Sequence, residues 1–230
     1  MSKQFWGILA AIIILFFGVV IVNNNKDAKT SGAKGTPTNH VEGKSPKGVK
    51  LIEYGDYQCP GCGSFYQATK DVADKYKDSV QFQFRNLPLT SLHPNAFAAA
   101  RAAEAAALQN KFWEMHGLLY QQSIAYYNAQ QSGQTYNTWV GASDPVPFFE
   151  TYARQLGLNV TQFKSDFAST KVNNLINADV AAFKATGDAM STPTFYLNGK
   201  KIADGDLTDK SGQPSVEAFS KLIDAALKAK

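Results

Sequence analysis

Cys59 and Cys62 are the two cysteines of this 230-residue chain, and only Pro60 and Gly61 separate them. Two thiols at that spacing can close into one small ring across a single helical turn. Placed at a helix N-terminus, the first thiol meets unpaired backbone N–H groups and the positive end of the helix dipole. Both favour a thiolate, the form of cysteine that attacks disulfides. Cys59, at the exposed edge, is the candidate nucleophile. Cys62, one turn further in, is the candidate thiol that resolves a mixed disulfide. Pro60 suits the first turn, because the donor it lacks would be orphaned there anyway. A zinc half-site is the competing chemistry. It normally needs four ligands, and the chain offers no second cysteine pair, while His40, His93 and His116 stand at no ligand spacing. No metal is expected, nor a structural disulfide framework.

The elements needed to position such a pair are visible around it. Val49 to Gly55 is a short apolar run bounded by glycines and reads as a buried strand ending just before the motif. Phe65 to Tyr76 follows at helical spacing, and Val80 to Leu87 alternates as a second strand. From Pro94 the pattern turns helical: Ala96 to Leu108, Lys111 to Gln122, Pro147 to Leu156, Val160 to Phe167 and Val172 to Thr186. Ser123 to Asp144 shows no period and reads as a surface loop by default. Thr194 to Ile202 carries Asn198-Gly199 between apolar flanks, a strong hairpin signal. Ser215 to Leu227 closes the chain as an amphipathic helix with Ser215 as N-cap.

The segment LIEYGDYQCPGC, Leu51 to Cys62, resembles the active-site strand and motif of DsbA-like, thioredoxin-fold disulfide oxidoreductases. That resemblance covers roughly Val49 to the C-terminus. It implies an α/β thioredoxin fold over 49–230, with a helical domain inserted at about 93–188. It also implies that Glu53, six positions before Cys59, lies beneath the motif and assists proton transfer at Cys62. A buried carboxylate with a raised pKa suits that role, whereas composition alone leaves it an ordinary strand carboxylate. Ser191-Thr192-Pro193-Thr194-Phe195 looks like the family's cis-proline loop, with Thr192 and Pro193 as the substrate-binding pair. Without the resemblance, Pro193 reads as a strand-start proline. Phe112-Trp113-Glu114-Met115-His116 is similar to a recurring helix of the family, and His116 reads as core packing. Two positions depart from the best-known oxidases. Gly61 stands where they carry a thiolate-stabilising histidine, and Thr192 resembles the choice of disulfide isomerases.

The N-terminal region reads differently. Phe5 to Val22 is an unbroken apolar run of 18 residues after Lys3, about 27 Å as a helix and just enough for a bilayer core. It ends in Val22-Asn23-Asn24-Asn25, with no small-x-small cleavage site, so residues 1–22 are expected to be an uncleaved transmembrane signal anchor rather than a cleaved signal peptide. Residues 23–48 are polar and read as a flexible linker. The first 50 residues hold seven Lys against two Asp/Glu, and the remainder 16 Lys/Arg against 17 Asp/Glu. The basic balance therefore belongs to the arm, and the near-neutral globular part argues against nucleic acid as a partner. Lysines flanking the apolar run slightly favour the domain inside. Long domains translocate largely regardless of charge, and the thiol pair suits an oxidising compartment. The expectation is a single-pass membrane protein with its domain on the extracytoplasmic side.

Three functions follow from these residues. The first is an oxidase that passes its Cys59–Cys62 disulfide, with no other cofactor, to reduced or misfolded exported proteins. The resemblance implies reoxidation by a quinone-linked membrane partner. The second is a reductase or isomerase that runs the same cysteines in the other direction. The third is a tethered peptide-binding module with incidental thiols.

Overall fold

The computed structural model describes residues 35–230. The anchor expected over residues 1–22 lies outside the described residues. Among the described residues, no helix is long and apolar enough to cross a membrane.

The expected strand after the linker is Lys50–Gly55 (β2), and it occupies the centre of a five-stranded sheet. Helix α1 (Pro60–Lys75) carries the chain over to β3 (Gln81–Asn86), which pairs parallel with β2 from Lys50↔Gln81 to Gly55↔Asn86. On the other side β4 (Thr194–Leu197) runs antiparallel to β2, and β5 (Lys200–Lys201) completes the hairpin. Asn198 and Gly199 form its turn with φ of 53° and 80°, the left-handed pair that Asn-Gly tolerates. With β1 (His40–Glu42) beside β3, the strand order is β1-β3-β2-β4-β5.

Alternation along β2 divides the core. Leu51 faces a cluster with Val72 of α1, Phe82, Phe195, and Phe219 and Ile223 of the C-terminal helix α7 (Val216–Lys228). Tyr54 faces the opposite side, against Phe183 of α6 (Thr170–Lys184) and Tyr196. Between β3 and α6 lie α2 (Ala96–Ala107), α3 (Phe112–Gln131), α4 (Val146–Gln155) and α5 (Val160–Phe167). The fold is thus the expected thioredoxin-like sheet with a helical insertion. Ala99, Ala102, Ala103, Ala105 and Ala106 of α2 are fully buried. Their small side chains let it pack closely among its neighbours, while Trp139, Phe149 and Phe163 fill the space around them.

Two expectations are corrected. Of the flexible linker expected over residues 23–48, residues 23–34 lie outside the described residues, and residues 35–48 carry a strand. His40–Glu42 forms β1, antiparallel to β3. The segment has little to bury and is held by polar contacts instead. Thr38 donates its N–H and hydroxyl to Asp179, each at 2.7 Å, and His40 Nε2 lies 2.8 Å from Glu104. Both carboxylates are buried, so these contacts satisfy groups that would otherwise be costly inside the protein. The second correction concerns Ser123 to Asp144. Helix α3 continues through it to Gln131, and Trp139–Gly141 forms a short 3-10 turn. The period is blurred because α3 is contacted on several sides. Ser123 is fully buried, Gly63 of α1 lies against Ile124, and Tyr127 reaches the turn before Cys59.

Candidate active site

The C-terminal end of β2 delivers the chain to the site. Gly55 is required there, because a Cβ would lie 2.5 Å from the Phe84 ring and 2.7 Å from the Tyr120 hydroxyl. The next residues form a tight turn in which the Cys59 N–H donates to the Asp56 carbonyl at 3.1 Å. Cys59 is the N-cap of α1 and Pro60 its first residue, as the motif anticipates. Its sulfur thus sits at the positive end of a 16-residue helix.

Both thiols are free in this structure, and they are unlike. Cys62 is fully buried and receives the Asp56 N–H at 3.4 Å. Burial first, then its interaction with Cys59, pushes its thiol well above the ordinary range. Cys59 keeps some exposure (8%). The hydrogen bond with the Cys62 thiol, aided by Thr192 and opposed by burial, lowers its pKa to about 6. At neutral pH the pair is therefore one thiolate and one thiol. That is the division of labour needed by a nucleophile and its resolver.

Thr192 and Pro193 meet the motif from across the site. The Thr192–Pro193 peptide is cis, and the Cys59 Sγ lies 3.4 Å from the Thr192 carbonyl. The Thr192 hydroxyl is buried without a fixed partner among the described residues, which leaves it available to a thiolate. A Cβ on Gly61 would stand 3.5 Å from Pro193 Cδ and 3.6 Å from Cys59 Sγ, at ordinary contact. Glycine at this position thus leaves the approach to Cys59 open.

Glu53 lies under the motif on β2, paired between Phe84 and Phe195. It is buried, and its Oε1 has no hydrogen-bond partner among the described residues. Burial, reinforced by the charge of Cys59, raises its pKa to about 8. It borders a cavity of 80 Å³ that also touches Glu42, Lys70, Trp113 and His116. That space is large enough to hold water beside the carboxyl. Glu42, the exposed end of β1, is itself raised above the usual carboxylate range, chiefly by partial desolvation of its carboxyl. His116 is the core residue the sequence suggested. Tyr57 Oη lies 3.1 Å from its Nδ1, and burial and the charge of His40 push it down to about 3, so it stays neutral.

Sequence reasoning passed over two residues of the site. Asp56 lies three positions before Cys59, and His93 comes from the loop between β3 and α2; the two meet at 2.8 Å. An acidic residue inside the strand-to-motif turn was a visible signal. Its partner, 37 positions away, was not.

A family model described as thioredoxin matches residues 35–225, which includes the cysteine motif, Glu53, the helical insertion and Pro193. Related sequences include the Na(+)/H(+) antiporter NhaA 3 of Salinispora tropica, 33% identical over 81% of this chain and 24% of that protein. The Na(+)/H(+) antiporter NhaA 1 of Mycolicibacterium gilvum is 35% identical over 70% and 24%. The chain spans about a quarter of the length of these curated relatives. Among solved structures, a thioredoxin-like oxidoreductase from Silicibacter pomeroyi superposes with a TM-score of 0.62 at 23% identity, covering 88% of this chain and 99% of that one. Oxidised BdbD from Bacillus subtilis gives 0.60 at 23% identity, over 84% and 97%. The alpha-DsbA1 of Wolbachia pipientis gives 0.62 at 19%, over 85% and 94%. These likenesses establish the fold, sheet and insertion together. With the family match running through both, the chain belongs to the thioredoxin family, in the DsbA-like form of its fold.

Proposed function

We propose that this protein is a thiol–disulfide oxidoreductase that introduces disulfides into exported proteins through Cys59 and Cys62. The asymmetry of the two thiols carries the reading: a partly exposed cysteine held near 6 beside a buried one held high. A stabilised Cys59 thiolate is a good leaving group, so a mixed disulfide at Cys59 is readily resolved by a second client thiolate. The client sulfur attacks Cys59, the S–S bond breaks, and Cys62 leaves and takes a proton. A second client thiolate then attacks the mixed disulfide and releases Cys59. The client has lost two electrons and two protons, and the Cys59–Cys62 pair holds the electrons. In this reading Glu53 shuttles the proton at Cys62, and its burial with a raised pKa supports that role. Exposed Leu92 and Met190, next to His93 and two residues before Thr192, offer apolar contact for an incompletely folded client.

The same proposal sets the domain outside the cytoplasm, tethered by residues 1–22. There a quinone-linked membrane partner reoxidises it, and tethering raises the encounter frequency. The test is the reduction potential of Cys59–Cys62 in the full chain, equilibrated with glutathione. A value near about −120 mV supports a dithiol oxidase, and one near about −270 mV assigns a reductase instead. Cys62→Ser should trap mixed disulfides with clients; failure to trap any, with wild-type protein redox-inactive, refutes the chemistry.

A further inference from the structure

We propose that Asp56 and His93 form the charge-balancing pair of the redox site, with His93 cancelling the buried Asp56 carboxylate and so setting how firmly Cys59 holds its thiolate. The inference rests on Cys59 and Cys62 being the redox pair. Asp56 touches both of them through its backbone: its N–H donates to Cys62 Sγ at 3.4 Å, and its carbonyl accepts the Cys59 N–H at 3.1 Å. Its side chain is wholly inaccessible to solvent. Oδ1 accepts the Gln58 N–H at 2.8 Å, and Oδ2 accepts the Leu89 N–H at 2.9 Å and meets His93 Nδ1 at 2.8 Å.

A buried carboxylate beside a thiolate disfavours it by like-charge repulsion. The two amides that hold Asp56 are neutral dipoles. Of its three hydrogen-bonding partners, His93 is the one able to carry a positive charge. Its hydrogen bond to Asp56, more than the charge of Cys59, raises its pKa above the ordinary histidine value. The other titratable groups near this corner are Glu53 on β2 and, on α3, Tyr120 and Tyr127, the last with its hydroxyl donating to the Gln58 carbonyl at 2.7 Å. Burial pushes that hydroxyl up to about 12, so it stays neutral.

The pair is also rigid. The Asn95 N–H donates to Gln58 Oε1 at 2.7 Å, and Asn95 Nδ2 donates to the Trp139 and Ala142 carbonyls, tying the His93 loop to the motif turn. His93 keeps a 15% exposed edge through which it can exchange its proton with water. Gly61 contributes no charge of its own, so the balancing cation enters from behind the motif. When two electrons reduce the disulfide and Cys59 departs as a thiolate, one proton goes to Cys62. The negative charge left on Cys59 then faces a neutralised Asp56–His93 pair rather than a bare carboxylate.

His93→Gln keeps a donor for Asp56 and removes the charge. In the full chain at mildly acidic to neutral pH, the Cys59 thiolate absorbance should titrate at higher pH than in wild type. The equilibrium constant with glutathione should shift toward the oxidised protein by about three- to tenfold, the latter equivalent to about 30 mV. Asp56→Asn should shift Cys59 the opposite way, and Asp56→Asn/His93→Gln should return toward wild type. An unchanged titration and potential in His93→Gln overturns the inference. Wild-type protein supplies a check free of folding defects, since coupling between two sites is reciprocal. The His93 pKa, read by NMR, should be higher in the reduced than in the oxidised protein, and equal values overturn the inference. A wild-type chain with no reversible disulfide removes the redox reading as well. A reversible disulfide indifferent to His93→Gln removes this inference alone.

Discussion

Reduction of a disulfide to two thiols takes up two protons with two electrons, so the potential falls by about 59 mV per pH unit. If one sulfur remains a thiolate, a single proton enters and the slope halves to about 30 mV. Cys59, lowered to about 6, and Cys62, pushed well above its ordinary value, therefore predict a break. Below about pH 6 the slope should be full, and from there through neutrality it should be halved. At pH 7 about nine-tenths of Cys59 would be thiolate, which favours the reduced form about tenfold over a pair of ordinary thiols. The pair should thus be about 30 mV more oxidising than the same disulfide without that thiolate. Glu53 titrates near 8, so its contribution is separated from the break. The assay is equilibration with glutathione buffers at steps of pH, acid quenching, alkylation and mass counting of free thiols. A single line of full slope from acid through pH 8 would refute the assignment of Cys59 as a stabilised thiolate.

Glu53→Gln should stabilise the protein. A carboxyl whose pKa is raised from 4.5 to about 8 on folding contributes most at low pH and loses that contribution as pH rises through 8. The gain at neutrality is about 3 kcal/mol by denaturant unfolding, absent at about pH 4, while release of mixed disulfides slows. No difference between acid and neutral pH would contradict a buried, protonated Glu53. Asp179→Ala strips acceptors from the N–H groups of Thr38 and Asn86. It should cost about 2–4 kcal/mol and expose residues 35–42 to proteolysis; a protected arm would show that the contacts are dispensable. Phe149→Ala, in the core of the insertion, should lower stability by about 3–5 kcal/mol in thermal or denaturant unfolding.

Local chemistry was legible in the sequence, and distant pairing was not. Val49 to Gly55 announces a strand because it is buried on both faces, and the cysteine motif follows within a few residues. Asn198-Gly199 specifies its turn by backbone alone. Each of these signals lies within about ten residues of what it determines. The N-terminal arm is the opposite case. Thr38 and His40 are polar, and their partners Asp179 and Glu104 lie 141 and 64 positions away. No periodicity in residues 35–48 records that. His93 was visible as one histidine among three, but its pairing with Asp56 depends on how the loop after β3 folds back. The second half of α3 was hidden because Ser123 is its one buried residue and the rest are at most partly covered, which leaves no apolar stripe to read. Gly61 and Thr192 were identifiable as departures from the oxidase pattern, yet their meaning rests on the geometry around Cys59.

The corrected N-terminal arm has one more consequence. A sheet rim displays free N–H and C=O groups, to which any extended chain can add. Strand β1 occupies the outer side of β3, and the opposite rim, β5, is two exposed lysines long. Under the proposed function, the strands most apt to stick to such rims are those of unfolded client polypeptides. With a three-residue strand, β1, at one rim and two exposed lysines, β5, at the other, the sheet offers an extended chain little length to zip onto. Client contact at the Thr192 loop, as the proposed function has it, would bring adhesion and chemistry to one spot beside Cys59.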